Sequence, residues 1–235
     1  NQENSSKNDN YGLTFYGSEY MTSSVSDLNS AYKFSISFWA KKPTSGDEIS
    51  IGDRISTYQG MWLNWYSDGN VYFSVRRGLN QSISYAFSFD TDWHYFVGTF
   101  DNGVAKLYID NSLVSTFTFG TTYLPATTGD NFRIGAIDVS TIGNGSISQV
   151  SIYDYALTST QISTLYGSSS LGSASPLALK PQPVAYYPLG DNSASNPLTQ
   201  PNVAVEDATV FDFDGSNDYI TSDFTNTDNT GSVSI

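Results

Sequence analysis

The stretch Trp93-His94-Tyr95-Phe96-Val97-Gly98-Thr99-Phe100-Asp101-Asn102-Gly103-Val104-Ala105-Lys106-Leu107-Tyr108-Ile109-Asp110-Asn111 decides the fold. A strand-forming run from Trp93 to Phe100 meets Asp101-Asn102-Gly103, where glycine tolerates the positive φ of a tight hairpin turn. Val104 to Ile109 runs back, and Asp110-Asn111 turns the chain again into Leu113 to Phe119. Short runs of β-branched and aromatic residues separated by Asn, Asp and Gly read as a meander.

The same signature extends outward on both sides. Met61, Leu63 and Trp65 share one face of a strand and Trp62, Asn64 and Tyr66 the other. Ser67-Asp68-Gly69-Asn70 then returns the chain into Val71, Phe73 and Val75, opposed by Tyr72, Ser74 and Arg76. Phe34, Ile36 and Phe38 alternate with Ser35, Ser37 and Trp39, and Phe132–Ile137 and Ile147–Tyr153 supply further strands. Many short strands at this spacing predict an all-β, antiparallel two-sheet sandwich. One short helix closes it. Thr158 and Gln161 form a capping box, Leu157 and Ile162 the matching staple, and Gly167 stands at the C-cap, which predicts a helix over Ser159–Tyr166.

Beyond that helix the chain starts to repeat itself. Phe211-Asp212-Phe213-Asp214-Gly215-Ser216-Asn217-Asp218-Tyr219-Ile220-Thr221-Ser222 echoes Leu13-Thr14-Phe15-Tyr16-Gly17-Ser18-Glu19-Tyr20-Met21-Thr22-Ser23. A separation of nearly 200 residues is too long for a solenoid and suits one whole β domain per repeat. We therefore expect an N-terminal extension over 1–10, a first module over 11–167, a Ser/Gly/Pro linker over 168–183 and the opening of a second module over 184–235. The strand Val184-Ala185-Tyr186-Tyr187-Pro188-Leu189 has no counterpart ahead of the first module, because residues 1–10 are short and polar. It either opens the second module or fills that gap in the first.

Composition narrows the partners. With 23 acidic against 10 basic residues and a formal charge of −13, the chain lacks the clustered cations that bind nucleic acid or an anionic membrane. No run of 18 apolar residues exists, so membrane insertion by a helix is not expected. The absence of cysteine excludes disulfides, thiolate metal sites and thiol catalysis, and leans toward a bacterial or viral source.

The segments FDGSNDYIT, FSISFWAK, DWHYFVGTFDNGVAKLYIDNSLV, FRIGA and ISQVSIYDYALTSTQISTLYG resemble the laminin-G-like members of the concanavalin A-like superfamily. The resemblance spans most of residues 11–167, restarts at Val184, and implies a jelly-roll β-sandwich with one short C-terminal helix per module. The succession from ALTSTQISTLYG through PVAYYPLGD to FDFDGSNDYI also resembles tandem modules in structural proteins of marine bacteriophages. That likeness implies a non-enzymatic structural or binding module of a virion fibre or decoration protein, extracellular or on the virion surface. Its partners are then other copies or modules of the same appendage, together with host-surface glycans. The alternative it leaves is a bacterial secreted or cell-surface carbohydrate-binding adhesin.

Three chemistries compete for the site. Retaining glycosidases need two carboxylates about 5–5.5 Å apart. The glucanase pattern Glu-x-Asp-x-x-Glu is absent, and Glu3, Glu19, Glu48 and Glu206 are far apart in sequence, so no catalytic residue is expected. No cofactor is required by this reading, though calcium is a candidate at the second repeat, where Asp214, Asn217 and Asp218 offer hard oxygen ligands. The same residues equally cap a tight turn, and the first copy has Tyr16 in place of Asp214. Glycan binding needs aromatics to stack on sugar rings and amide or charged groups to fix hydroxyls. Trp62, Asn64, Tyr66, Tyr72 and Arg76 on one face of the hairpin supply that mixture, which also suits packing against a neighbouring module or subunit, and which is simply core if the opposite face is the outer one.

Overall fold

The computed structural model describes residues 12–23, 32–42, 49–56, 59–77, 81–88, 90–119, 132–167 and 173–189. Within them lie thirteen strands and one α-helix. Strands β1 (Leu13–Tyr16), β3 (Lys33–Lys41), β8 (Trp93–Asp101), β9 (Val104–Ile109), β10 (Ser112–Thr118), β12 (Asn144–Tyr153) and β13 (Ala185–Tyr187) make a seven-stranded sheet. Strands β2 (Met21–Ser23), β4 (Ile49–Ser56), β5 (Gln59–Trp65), β6 (Asn70–Arg77), β7 (Ser82–Ala86) and β11 (Phe132–Ile134) make a six-stranded one. All pairings are antiparallel, as the sequence predicts for a sandwich.

The meander forms as expected. Asn102 and Gly103 at one turn, and Asp110 and Asn111 at the next, all adopt positive φ, so each two-residue loop matches the twist of its strands. Alternation then selects the core. Phe34, Ile36, Phe38, Phe96, Phe100 and Leu107 from one sheet meet Met61, Leu63, Val71, Phe73 and Val75 from the other. Phe34 and Phe73 meet edge to face at 6.0 Å. A Cβ on Gly98 would lie 2.5 Å from the Phe73 ring, so glycine there lets the layers close.

The seven-stranded sheet is buried on its second face as well. Helix α1 (Ser159–Tyr166) lays Ile162 and Leu165 against Trp39, Trp93, Tyr95, Val97, Tyr108 and Tyr153. That is why Trp39, alternating with core residues, is itself fully buried. The capping box is complete: Thr158 Oγ1 accepts the Gln161 N–H, and Gln161 Oε1 accepts the Thr158 N–H. Ser35 ties the approach to the helix by donating to the Tyr155 carbonyl and accepting the Leu157 N–H.

The strands depart from the sequence reading at several points, and β12 begins at Asn144 rather than Ile147. β11 stops at Ile134 because Gly135 takes φ +89. β4 and β7 were not read from the sequence, although Ile49-Ser50-Ile51 already alternates.

One edge of β12 is covered by two pieces laid end to end. β1 pairs with residues 144–147 and β13 with residues 150–152, both antiparallel to β12. Ala185, Tyr187 and Leu189 enter the principal core, and the Tyr187 hydroxyl bonds Ser23 Oγ on the opposite sheet. Residues 173–183, within the expected linker, carry a 3-10 turn at Pro176–Ala178 and place Leu179 in the cluster under α1. The N-terminal extension 1–10, linker residues 168–172 and everything after Leu189 lie outside the described residues.

Candidate functional site

Because Met61, Leu63 and Trp65 point into the core, Trp62, Asn64 and Tyr66 point out of the six-stranded sheet. The register sets Trp62 beside Ser74 and Asn64 beside Tyr72. Arg54 and Arg76 flank Gly60 from either side, so two guanidinium stems border a position with no side chain. The turn at residues 67–69 adds Asp68 at the far end. These side chains line one cleft of about 250 Å³. All five residues singled out from the sequence, Trp62, Asn64, Tyr66, Tyr72 and Arg76, are brought together there.

Trp62 behaves differently from the expectation of an exposed stacking platform. It is 3% exposed, and the Arg76 guanidinium lies over its ring, 4.7 Å from the centroid. The cation covers the aromatic face, an attraction that holds both in place. Arg76 is braced in turn by Ser82, whose Oγ accepts from Nε at 3.2 Å and from the terminal nitrogen at 2.8 Å. The aromatic surface left at the cleft is therefore that of Tyr66 and Tyr72, which meet at right angles with centroids 6.0 Å apart.

Most polar groups in the cleft are already engaged. Arg54 pairs with Asp138 and donates to Thr141 Oγ1 at 2.8 Å. Burial alone would push Asp138 up, but hydrogen bonds from Ser140 and Thr141, with the Arg54 charge, hold its carboxyl below the usual range. Tyr72 donates to Asp68 at 2.6 Å, and this bond lowers the Asp68 carboxyl and raises the Tyr72 phenol. Ser74 and Ser82 share a hydrogen bond of 2.7 Å. Asn64 is the exception. It is fully buried, and neither its amide oxygen nor its amide nitrogen has a partner. The hydroxyl of its cross-strand neighbour Ser50 also has no partner, so the two side chains do not satisfy one another.

Arg54 and Asp68 did not emerge as site candidates from the hairpin alone. Arg54 reaches the cleft from β4, so only the strand pairing brings it there. Asp68 was read as a turn former, which it is, since its carboxylate accepts the Asn70 N–H at 2.9 Å.

The single histidine serves elsewhere. His94 Nδ1 lies 2.6 Å from Asp110 and Nε2 lies 3.1 Å from Asp90. Burial pulls its pKa down, but the two carboxylates outweigh burial and raise it. Asp110 also accepts the Tyr95 N–H, so the trio ties the start of β8 to the turn after β9. Among the described residues no three His, Asp or Glu side chains cluster closely enough to hold a metal, and the calcium candidates Asp214, Asn217 and Asp218 lie outside them. In the first copy of that turn, Glu19 accepts from the Tyr16 N–H and from Ser18. No helix among the described residues is long and apolar enough to cross a membrane.

Solved structures with this fold include a carbohydrate-binding module of family 40 from a Ruminococcus gnavus IT-sialidase, bound to α2,3-sialyllactose. It superposes with a TM-score of 0.56 at 16% identity, over 67% of this chain and 97% of that one. The NanB sialidase of Streptococcus pneumoniae matches with a TM-score of 0.53 at 16% identity, over 73% of this chain and 28% of its own length. A leech intramolecular trans-sialidase gives 0.52 at 14% identity, over 63% of this chain and 26% of that one. Identities this low speak to the fold alone. Curated protein sequences gave no match. Residues 15–163 match a laminin-G-type family model described as the concanavalin A-like lectin/glucanases superfamily. The match covers more than half of the chain, and with the two antiparallel sheets and capped helix it makes this protein a member of that superfamily.

Proposed function

We propose that this chain is a non-enzymatic carbohydrate-binding module, and that it takes glycans in the cleft on the outer face of the six-stranded sheet. The observation that carries the reading is the cleft itself, lined by Tyr66 and Tyr72, in whose wall the buried Asn64 amide has no partner. A buried polar group left unsatisfied costs about 1–3 kcal/mol, and a ligand hydroxyl returns that energy on binding. Concave sites with apolar walls and a few convergent polar groups are the usual form of small-ligand sites. The sialyllactose complex of the family 40 module supports the same use of the fold.

Hydrolysis is disfavoured by the engagement of the nearby carboxylates. Asp138 is held by Arg54, Ser140 and Thr141, and Asp68 sits on the exposed turn bonded to Tyr72. A glycosidase needs one carboxyl free to give a proton and a second to attack or activate water.

The finer reading is that the module belongs to an extracellular appendage, such as a virion fibre or decoration, built from tandem copies. It is supported by the recurrence of Leu13–Ser23 at Phe211–Ser222 and by the acidic composition. Titrating the full chain against a glycan array tests the binding reading, and retention of no glycan overturns it. Gold-tagged antibody against residues 11–167 tests the location, with label on particles expected and label confined to cells overturning it.

A further inference from the structure

The cleft carries information about which class of glycan it takes, and this inference rests on the glycan-binding reading above. We infer that the ligand meets Asn64 with two adjacent hydroxyls of a sugar, as a neutral sugar does, and that neither a carboxylate nor an N-acetyl group makes this contact.

The Asn64 carboxamide offers one acceptor and two donor hydrogens from neighbouring atoms, all without partners. A pair of adjacent hydroxyls meets both atoms at once, one donating to the amide oxygen and the other accepting from the amide nitrogen. Each hydroxyl both donates and accepts, so the match holds whichever way the amide is turned. A carboxylate is an acceptor only. It would satisfy the amide nitrogen and set its charge against the amide oxygen. An N-acetyl group is a trans amide whose N–H and C=O point in opposite directions, so it reaches only one of the two Asn64 atoms.

The cations do not reverse this preference. Arg54 is committed to Asp138 and Thr141, and Asp138 is itself fixed by Ser140 and Thr141. Arg76 is committed to the Trp62 ring and Ser82. An anionic ligand would have to compete with Asp138 for Arg54, inside a chain whose formal charge is −13.

Asn64 is closed from solvent in the unliganded chain, so binding requires a bordering side chain to turn aside. Tyr66 and Tyr72 are the half-buried neighbours placed to do so, and rotamer changes of this kind are common on binding.

The test uses the full chain, isothermal titration, and two probe sets. The neutral set is lactose, cellobiose, maltose and α-mannobiose; the acidic and acetylated set is 3′-sialyllactose, digalacturonate and chitobiose. At least one neutral sugar should bind, 3′-sialyllactose should bind no tighter than lactose, and affinity should be unchanged between 50 and 500 mM NaCl, as expected without charge pairing (about 10 Å screening at 0.1 M). Asn64→Leu, which keeps the branched outline, should weaken the neutral sugar about tenfold or more while leaving the melting temperature equal or higher. A group that served the fold alone would show the reverse. Should the leucine variant not fold, Asn64→Ala gives the same comparison without added bulk. Preference for the acidic or acetylated set, or unchanged neutral-sugar affinity in a folded Asn64 variant, overturns this inference and leaves the glycan-binding reading standing. Binding to neither set overturns both.

Discussion

Replacing Tyr187 by alanine tests whether β13 belongs to the body of the module. Tyr187 is 3% exposed, its ring sits in the core shared by both sheets, and its hydroxyl bonds Ser23 on β2. Truncating a large buried aromatic costs about 3–5 kcal/mol, because neighbours only partly fill the space left behind. Losing the hydroxyl also strands Ser23, which is 5% exposed. Against the total stability of about 5–15 kcal/mol usual for a domain, that is a large fraction. It corresponds to a fall in melting temperature of about 10 °C for a chain of this size. The assay is urea unfolding of the full chain followed by tryptophan fluorescence, since Trp39, Trp62, Trp65 and Trp93 are all buried in the described module. Tyr186→Ala is the control. Tyr186 alternates to the other face and is only half-buried, so its loss should cost under about 1 kcal/mol. Equal, small shifts for Tyr187→Ala and Tyr186→Ala would refute the reasoning, and would mean that the strand leaves β12 in solution.

Three further outcomes follow from other parts of the molecule. His94 is held by Asp90 and Asp110 with a raised pKa, so its contribution is fully present below its unfolded value of 6.5 and is lost as pH rises through the raised folded value. Urea midpoints should fall across that window, and Asp110→Asn should flatten the dependence; an identical profile in the variant would contradict it. Gly98→Ala should destabilise by about 1–3 kcal/mol, because its Cβ would stand 2.5 Å from the Phe73 ring, and thermal unfolding at or above the parent temperature would contradict that. Thr158→Ala removes the cap of α1 and should cost about 1 kcal/mol, with increased amide exchange confined to residues 159–166 as the expected signature.

What was legible in the residues, and what was not, divides along a physical line. Local chemistry acts over a few residues and was readable: the Asn-Gly and Asp-Asn turns, the alternation of Phe34, Ile36 and Phe38, and the Thr158–Gln161 box all formed as expected. The two faces of the 61–76 hairpin were readable too, because period two separates Met61, Leu63 and Trp65 from Trp62, Asn64 and Tyr66, but which of them faces the core only the sheet packing settles. Pairings between distant segments were not. Arg54 reaches the cleft only because β4 lies against β5, and Asp138 reaches Arg54 across 84 positions of sequence. Trp62 was legible as sharing a face with Asn64 and Tyr66 yet not as covered, since nothing in its own strand announces that Arg76 lies over its ring.

The amino-acid sequence by itself determined the two-layer β class, the turns, the helix and which residues share a strand face, because each depends on the backbone preferences and polarity of near neighbours. Tertiary structure alone decided that β13 continues the line of β1 along β12, that both cleft arginines are engaged, and that Asn64 is buried with nothing to bond. Each of those depends on which strands become neighbours, and no local pattern specifies that.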